Sequence, residues 1–157
     1  MPEFLTSGSF ALTSAETLPG IALRLVSAVI AGAVLGLERE LRDRPAGLKT
    51  HMLISLASAT FALIAINLVF AFPIEDSLRT DPVRLIEAVT AGVAFIAAGA
   101  IISQRDKIRG LTTGASLWLA GAIGACCGCG FFGIAGIATG LAIFIMIVVR
   151  WVEHRYM

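Results

Sequence analysis

The run Leu111–Val149, LTTGASLWLAGAIGACCGCGFFGIAGIATGLAIFIMIVV, holds 39 residues without one Asp, Glu, Lys or Arg. At about 1.5 Å of rise per residue a single helix of that length would extend about 58 Å, roughly twice the hydrocarbon thickness of a bilayer. Two crossings fit instead, with the reversal near Gly128, Gly130 and Gly133, where glycine supplies the backbone freedom a turn needs. The spacing therefore predicts spans over residues 111–129 and 132–149. Composition agrees: 57% of the 157 residues are hydrophobic and 15% are charged, with a mean hydropathy of +0.89. Soluble domains run at about 45–50% apolar and about 25% charged. The length allows one domain, and the composition places it in lipid.

Three further spans precede that run. Residues 21–37 carry a single charge, Arg24, within a turn of the end, where a guanidinium extends to the interface. Residues 51–72 end before Pro73, which cannot continue a helix. A third span opens at Asp81-Pro82, a cap followed by proline at the first helical position, and is expected to reach Ser103. The expected architecture is an all-α polytopic membrane protein with five transmembrane helices in one domain over residues 20–150. An exposed arm over 1–19 precedes it and a short tail over 151–157 follows. The arm lacks the basic n-region of a signal peptide.

Lys and Arg concentrate in cytoplasmic loops. Five spans put Arg39, Arg42, Arg44, Lys49, Arg105, Lys107, Arg109, Arg150 and Arg155 on one side, against Arg24, Arg79 and Arg84 on the other. Nine against three implies an outer N-terminus and a cytoplasmic C-terminus. A single helix over 111–149 would reduce the bias to seven against five. The net charge of +1 offers no field to attract nucleic acid.

Lipid provides little hydrophobic force between helices, so close backbone approach at small residues must hold the bundle. Gly32/Gly36, Gly110/Gly114, Gly124/Gly128 and Gly136/Gly140 have the four-residue spacing for this, and Ala88, Gly92 and Gly99 add small residues to the third span. Such faces join helices within one copy or join two copies, with a dimer the favoured oligomer.

Several polar residues carry both a functional and a plain structural reading. Glu38, Arg39, Glu40, Asp43 and Lys49 form a charged loop that is either an ion or anion site at the inner mouth or a set of interfacial anchors. The basic residues there oppose a bound cation, so no metal site is expected. His51 opens the second span, as a pH-sensitive group or a polar cap. Asn67 is expected to make an interhelical hydrogen bond, with a pore-lining role as the functional alternative. Glu87 shares a helix face with Arg84 and Asp81, and an acidic residue that dips into a membrane is a candidate functional group by default. Arg109, Thr112 and Thr113 stand at the start of the fourth span, where a helix N-terminus either binds an anion or is capped. Cys126, Cys127 and Cys129 lack the partners of a zinc signature and read as packing residues. No catalytic constellation appears, so neither an enzyme nor a cofactor is expected.

The blocks Gly36-Leu37-Glu38-Arg39-Glu40 and Arg44-Pro45-Ala46-Gly47-Leu48-Lys49-Thr50-His51-Met52-Leu53-Ile54-Ser55-Leu56 resemble the signature of the MgtC/SapB family of bacterial membrane proteins. So do Asp81-Pro82-Val83-Arg84 with Ala91–Ala100, and Arg109-Gly110-Leu111-Thr112-Thr113-Gly114-Ala115-Ser116-Leu117-Trp118. They occur in the family's order over roughly residues 24–130. Span three departs from the family's G-F-L-G-A-G, reading Ala94-Phe95-Ile96-Ala97-Ala98-Gly99. Many members carry a soluble C-terminal domain of the ACT type, and the resemblance is to a short form without it. The resemblance implies a multi-pass protein of the cytoplasmic membrane, linked to growth at low magnesium and, in some pathogens, to survival inside host cells. Two functions follow. One is a regulatory protein that binds another membrane protein. The other is an oligomeric transporter or channel for Mg2+ or another small solute.

Overall fold

The computed structural model describes residues 17–71, 82–104 and 107–156. Five helices, α1 Leu18–Glu40, α2 Leu48–Ala71, α3 Pro82–Gly99, α4 Leu111–Gly128 and α5 Phe132–Tyr156, are joined after α3 by a small hairpin of β1 Ile102–Gln104 and β2 Lys107–Arg109. The strands pair antiparallel, with Ile102 opposite Arg109. The expected arm up to residue 16 and the Asp81 cap lie outside the described residues.

The fourth helix is the hub. It packs against α1, α2, α3 and α5, while α1 also lies along α2. Over Leu111–Gly128, 56% of residues are buried inside the molecule, against 11% over Phe132–Val149 of α5. Glycine explains how four neighbours fit around one helix. A Cβ at Gly124 would run into the backbone carbonyl of Ser55, and one at Gly128 would lie 2.5 Å from the carbonyl oxygen of Ala59. The α1–α2 contact is equally close: a Cβ at Gly32 would lie 2.7 Å from the His51 carbonyl oxygen, and one at Gly36 would lie 2.7 Å from Leu48 Cα. A Cβ at Gly121, not singled out by spacing, would lie 2.8 Å from the Val93 side chain of α3. One at Gly114 would lie 3.1 Å from the Ala97 carbonyl oxygen.

The expected reversal between the last two spans falls at Cys129–Phe131. Gly130 has a φ of +81°, a conformation that costs an L side chain energy. The Phe131 N–H donates to the Cys126 carbonyl at 2.8 Å and the Gly130 N–H to that of Cys127 at 3.0 Å, which satisfies the last carbonyls of α4. Among the described residues four helices are long and apolar enough to cross a membrane, and the apolar part of α3, Ile86–Gly99, is shorter. Large apolar side chains face outward, as Leu23, Val26, Ile30, Val34 and Leu37 do along one side of α1. An exposed apolar stripe of this kind belongs in lipid, so the chain is a multi-pass membrane protein.

Three expectations are corrected. The third helix stops at Gly99 instead of reaching Ser103. Its last turn tightens through Ala100 N–H to Ala97 O and Ile101 N–H to Ala98 O, and the apolar Ile101 and Ile102 that extended the hydropathy belong to the turn and β1. Among the described residues, a Cβ at Gly92 or Gly99 of α3, or at Gly136 or Gly140 of α5, would meet no neighbouring element within 4 Å, so these glycines make no close helix contact there within one copy. The third helix meets the bundle along a narrow edge, Val89, Val93 and Ala97, which leaves Gly92 and Gly99 on the open side. Finally, Asn67 donates to the carbonyl oxygen of Leu63 in its own helix at 2.8 Å, in place of an interhelical bond.

Candidate functional site

Polar groups buried between the helices gather where the C-terminal end of α1 meets the N-terminal ends of α2 and α4. The first loop sets this up. The Arg42 and Arg44 N–H groups bond to the Arg39 carbonyl oxygen, and the Asp43 N–H to that of Glu40, closing α1 in a tight turn in which Asp43 has a φ of +50°. Glu40 then reaches forward, and its Oε2 accepts from the Leu48 N–H at 2.9 Å. A carboxylate on the first turn of α2 both caps a free N–H and complements the dipole. Gly47 leaves room for this arrangement, since a Cβ there would displace the Glu40 carboxylate from its present position.

Arg39, His51, Thr113 and Ser116 are all buried. The guanidinium of Arg39 donates from Nη2 to Thr113 Oγ1 at 3.2 Å, tying α1 to α4. Its nearest carboxylate is Glu38, 3.9 Å from Nη1, and that carboxylate is also paired with Arg42 one turn on. Arg39 Nε and Glu38 Oε2 are buried without a hydrogen-bond partner among the described residues. A charge inside a bundle is costly unless paired, so Arg39 is the most strongly constrained side chain here.

His51 is fully enclosed against Gly36. Its Nδ1 lies 2.8 Å from the Gly47 carbonyl oxygen, which can only accept, so Nδ1 carries a proton. Its Nε2 faces Ser116 Oγ at 3.1 Å, and Ser116 Oγ also lies 2.8 Å from the Thr113 carbonyl oxygen. The chain Gly47–His51–Ser116–Thr113–Arg39 thus crosses α2, α4 and α1. One turn deeper, Ser55 Oγ donates to the Ala28 carbonyl oxygen at 2.7 Å, and Ser58 Oγ is buried without a partner among the described residues.

Of the residues singled out by sequence, Glu38, Arg39, His51 and Thr113 come together here. His51 is no cap, since α2 begins at Leu48 and turns the imidazole inward. Lys49, Arg109 and Thr112 are exposed at the same end, and Glu87 is exposed on α3. Ser116 was missed, although it lies three residues past Thr113 and shares its helix face. At the opposite end Arg24 donates from Nη1 to the Gly128 carbonyl oxygen at 2.8 Å. Cys127 is buried and Cys126 and Cys129 are half-buried, all as free thiols. Among the described residues no three His, Cys, Asp or Glu converge in a set able to hold a metal ion.

The chain is similar in sequence to known proteins. Protein SapB of Bacillus subtilis is 42% identical over 115 residues, covering 73% of this chain and 50% of SapB. The putative magnesium transporter YhiD of Escherichia coli K12 is 35% identical over 136 residues, 86% of this chain and 63% of YhiD. Protein MgtC of Brucella abortus is 34% identical over 126 residues, 80% of this chain and 50% of MgtC. The chain thus spans about half to two thirds of the length of these relatives. No solved structure matches. The family model described as the MgtC family aligns to residues 25–155, which reaches from within the first helix into the last and takes in the whole buried cluster; the chain belongs to the MgtC family.

Proposed function

We propose that this protein is a regulatory or interaction protein of the bacterial cytoplasmic membrane, linked to magnesium homeostasis, with five crossings, an outer N-terminus and a cytoplasmic C-terminus. One observation carries the preference for a regulator: among the described residues the interior offers no polar route from end to end. Beyond Ser55 and Ser58 the described core is Ala59, Ala62, Leu117, Ala120, Ile123 and Cys127, closed by glycine contacts. An ion passing through one copy would shed its water there without oxygen ligands, which a hard cation resists. The polar cluster spends its donors and acceptors mainly on joining helices. The charged first loop beside it, with Arg42, Arg44 and Lys49, is the surface offered to a partner. The topology has support in the contacts, because Arg39 and His51 meet the start of α4 while Arg24 meets its end. That alternation suits successive crossings, and the basic loops fall at the Arg39 end.

The link to magnesium comes from the names of relatives, one of them a putative transporter, so transport is the reading to test against. Mg2+ flux into proteoliposomes holding only this protein is the experiment. No uptake above empty vesicles, with the protein shown to be folded, is the expected result. Uptake that Glu87→Gln abolishes would establish a transporter and refute the regulator.

A further inference from the structure

An arginine of α1 stands at each end of α4, and the two are not equivalent. Arg24 binds the Gly128 carbonyl at the C-terminal end, the negative pole of the helix, where a cation is favoured. Arg39 points into the first turn at the other end, bonded to Thr113 Oγ1. That is the positive pole, where the dipole opposes a cation. Arg39 is 5% exposed and its Nε–H has no acceptor among the described residues. Glu38 offsets it only in part, at 3.9 Å and shared with Arg42. The usual remedy at a positive pole, an acidic side chain in the first turn, is absent, and the N-cap is Gly110 with a φ of +88° and no side-chain cap. Among the described residues, Glu40 of the same loop is engaged as the cap of α2 and Asp43 is exposed. Leu111 and Thr112 are exposed in that first turn, and Arg109 is exposed just before it.

We propose that the start of α4, backed by the buried Arg39 and flanked by Arg109, binds a phosphate-type oxyanion, carried by a phospholipid headgroup or free in solution. A tetrahedral oxyanion accepts from several N–H groups at once, which suits a helix N-terminus with its first turn uncapped. Its charge opposes both the guanidinium and the dipole, the two like poles that the fold brings together. This site goes beyond the regulatory reading and stands whether or not the protein conducts Mg2+.

The test uses the full chain in lipid-free uncharged detergent and reads Tm. Inorganic phosphate is titrated against chloride at matched ionic strength. Separately, dioctanoyl phosphatidylglycerol is compared with dioctanoylglycerol, which lacks the phosphate. A saturable rise in Tm with phosphate identifies the free ion, and a rise confined to the phosphatidylglycerol identifies the headgroup. In either case Thr112→Glu, which puts a carboxylate on the exposed first turn, raises Tm by itself and abolishes the response. Arg109→Gln weakens binding by about tenfold or more. Both positions are exposed, so the variants fold. No response to either phosphate source by folded protein overturns the proposal, as does a response unchanged in both variants.

Discussion

Replacing Gly124 by alanine drives a methyl group into the backbone of α2. The built Cβ would overlap the Ser55 carbonyl oxygen and lie 2.7 Å from both the Ser55 carbonyl carbon and Cα, where ordinary contact begins at 3.4 Å. No rotamer relieves this, because the atoms met are backbone. The helices must part by roughly 1 Å at the crossing, and overpacking of this kind costs about 1–3 kcal/mol. The separation would also loosen the adjoining Gly128–Ala59 contact and the Ser55 hydroxyl's bond to Ala28. Gly136→Ala in α5 is the control, since nothing lies within 4 Å of its Cβ. There alanine's better helix propensity should be neutral or stabilising by up to about 1 kcal/mol. Unfolding of both variants in detergent, followed by circular dichroism, gives the comparison. Equal stability of the two would refute the close α2–α4 crossing.

Thr113→Val keeps the shape but removes the acceptor of Arg39, leaving a buried charged donor unpaired; a loss of about 1.5–3 kcal/mol is expected, with Thr113→Ser near wild type in the same unfolding assay. Gly130→Ala forces an L residue to a φ of +81° and should cost about 1–2 kcal/mol, lowering Tm without changing helix content. Glu40→Ala removes the cap on α2 and should cost about 0.5–2 kcal/mol by the same measure, whereas Glu40→Gln keeps an acceptor and should lose less. Ser116→Ala deprives His51 Nε2 of its partner, and a loss of about 1–3 kcal/mol is expected; no loss would mean that the imidazole finds another partner.

The charge-free run and its glycines foretold the last two helices and the reversal at Gly130, because lipid thickness and left-handed backbone leave direct marks on sequence. The glycine spacing was less informative. It is the same in Gly124/Gly128, which lie against a neighbour's backbone, and in Gly136/Gly140, which meet no neighbouring helix among the described residues. Spacing puts two residues on one face of a helix without saying what that face meets. Hydropathy extended the third helix past Gly99 because Ile101 and Ile102 are apolar in a turn and a strand as in a helix. Within the cluster, Arg39 and Thr113 were legible as polar residues at span ends. His51 reads as a pH-sensitive group or a polar cap, and its burial was not legible because it depends on Gly36 in another helix. Ser116 drew no notice because a lone serine in an apolar span can satisfy its hydroxyl on its own backbone.

The position of α4 at the hub has a consequence for biogenesis. Helices enter the membrane in chain order, so α1, α2 and α3 precede the element that joins them. The α1–α2 hairpin can close alone, through Gly32 and Gly36 against His51 and Leu48, and Ser55 against Ala28. Arg39 and the Nε2 of His51 must wait at the membrane surface for Thr113 and Ser116 to arrive. Until then α2 exposes to lipid the groove that Gly124 and Gly128 later fill. A nascent chain halted before residue 111 is therefore a half-built bundle in which Arg39 and His51 lack their partners on α4.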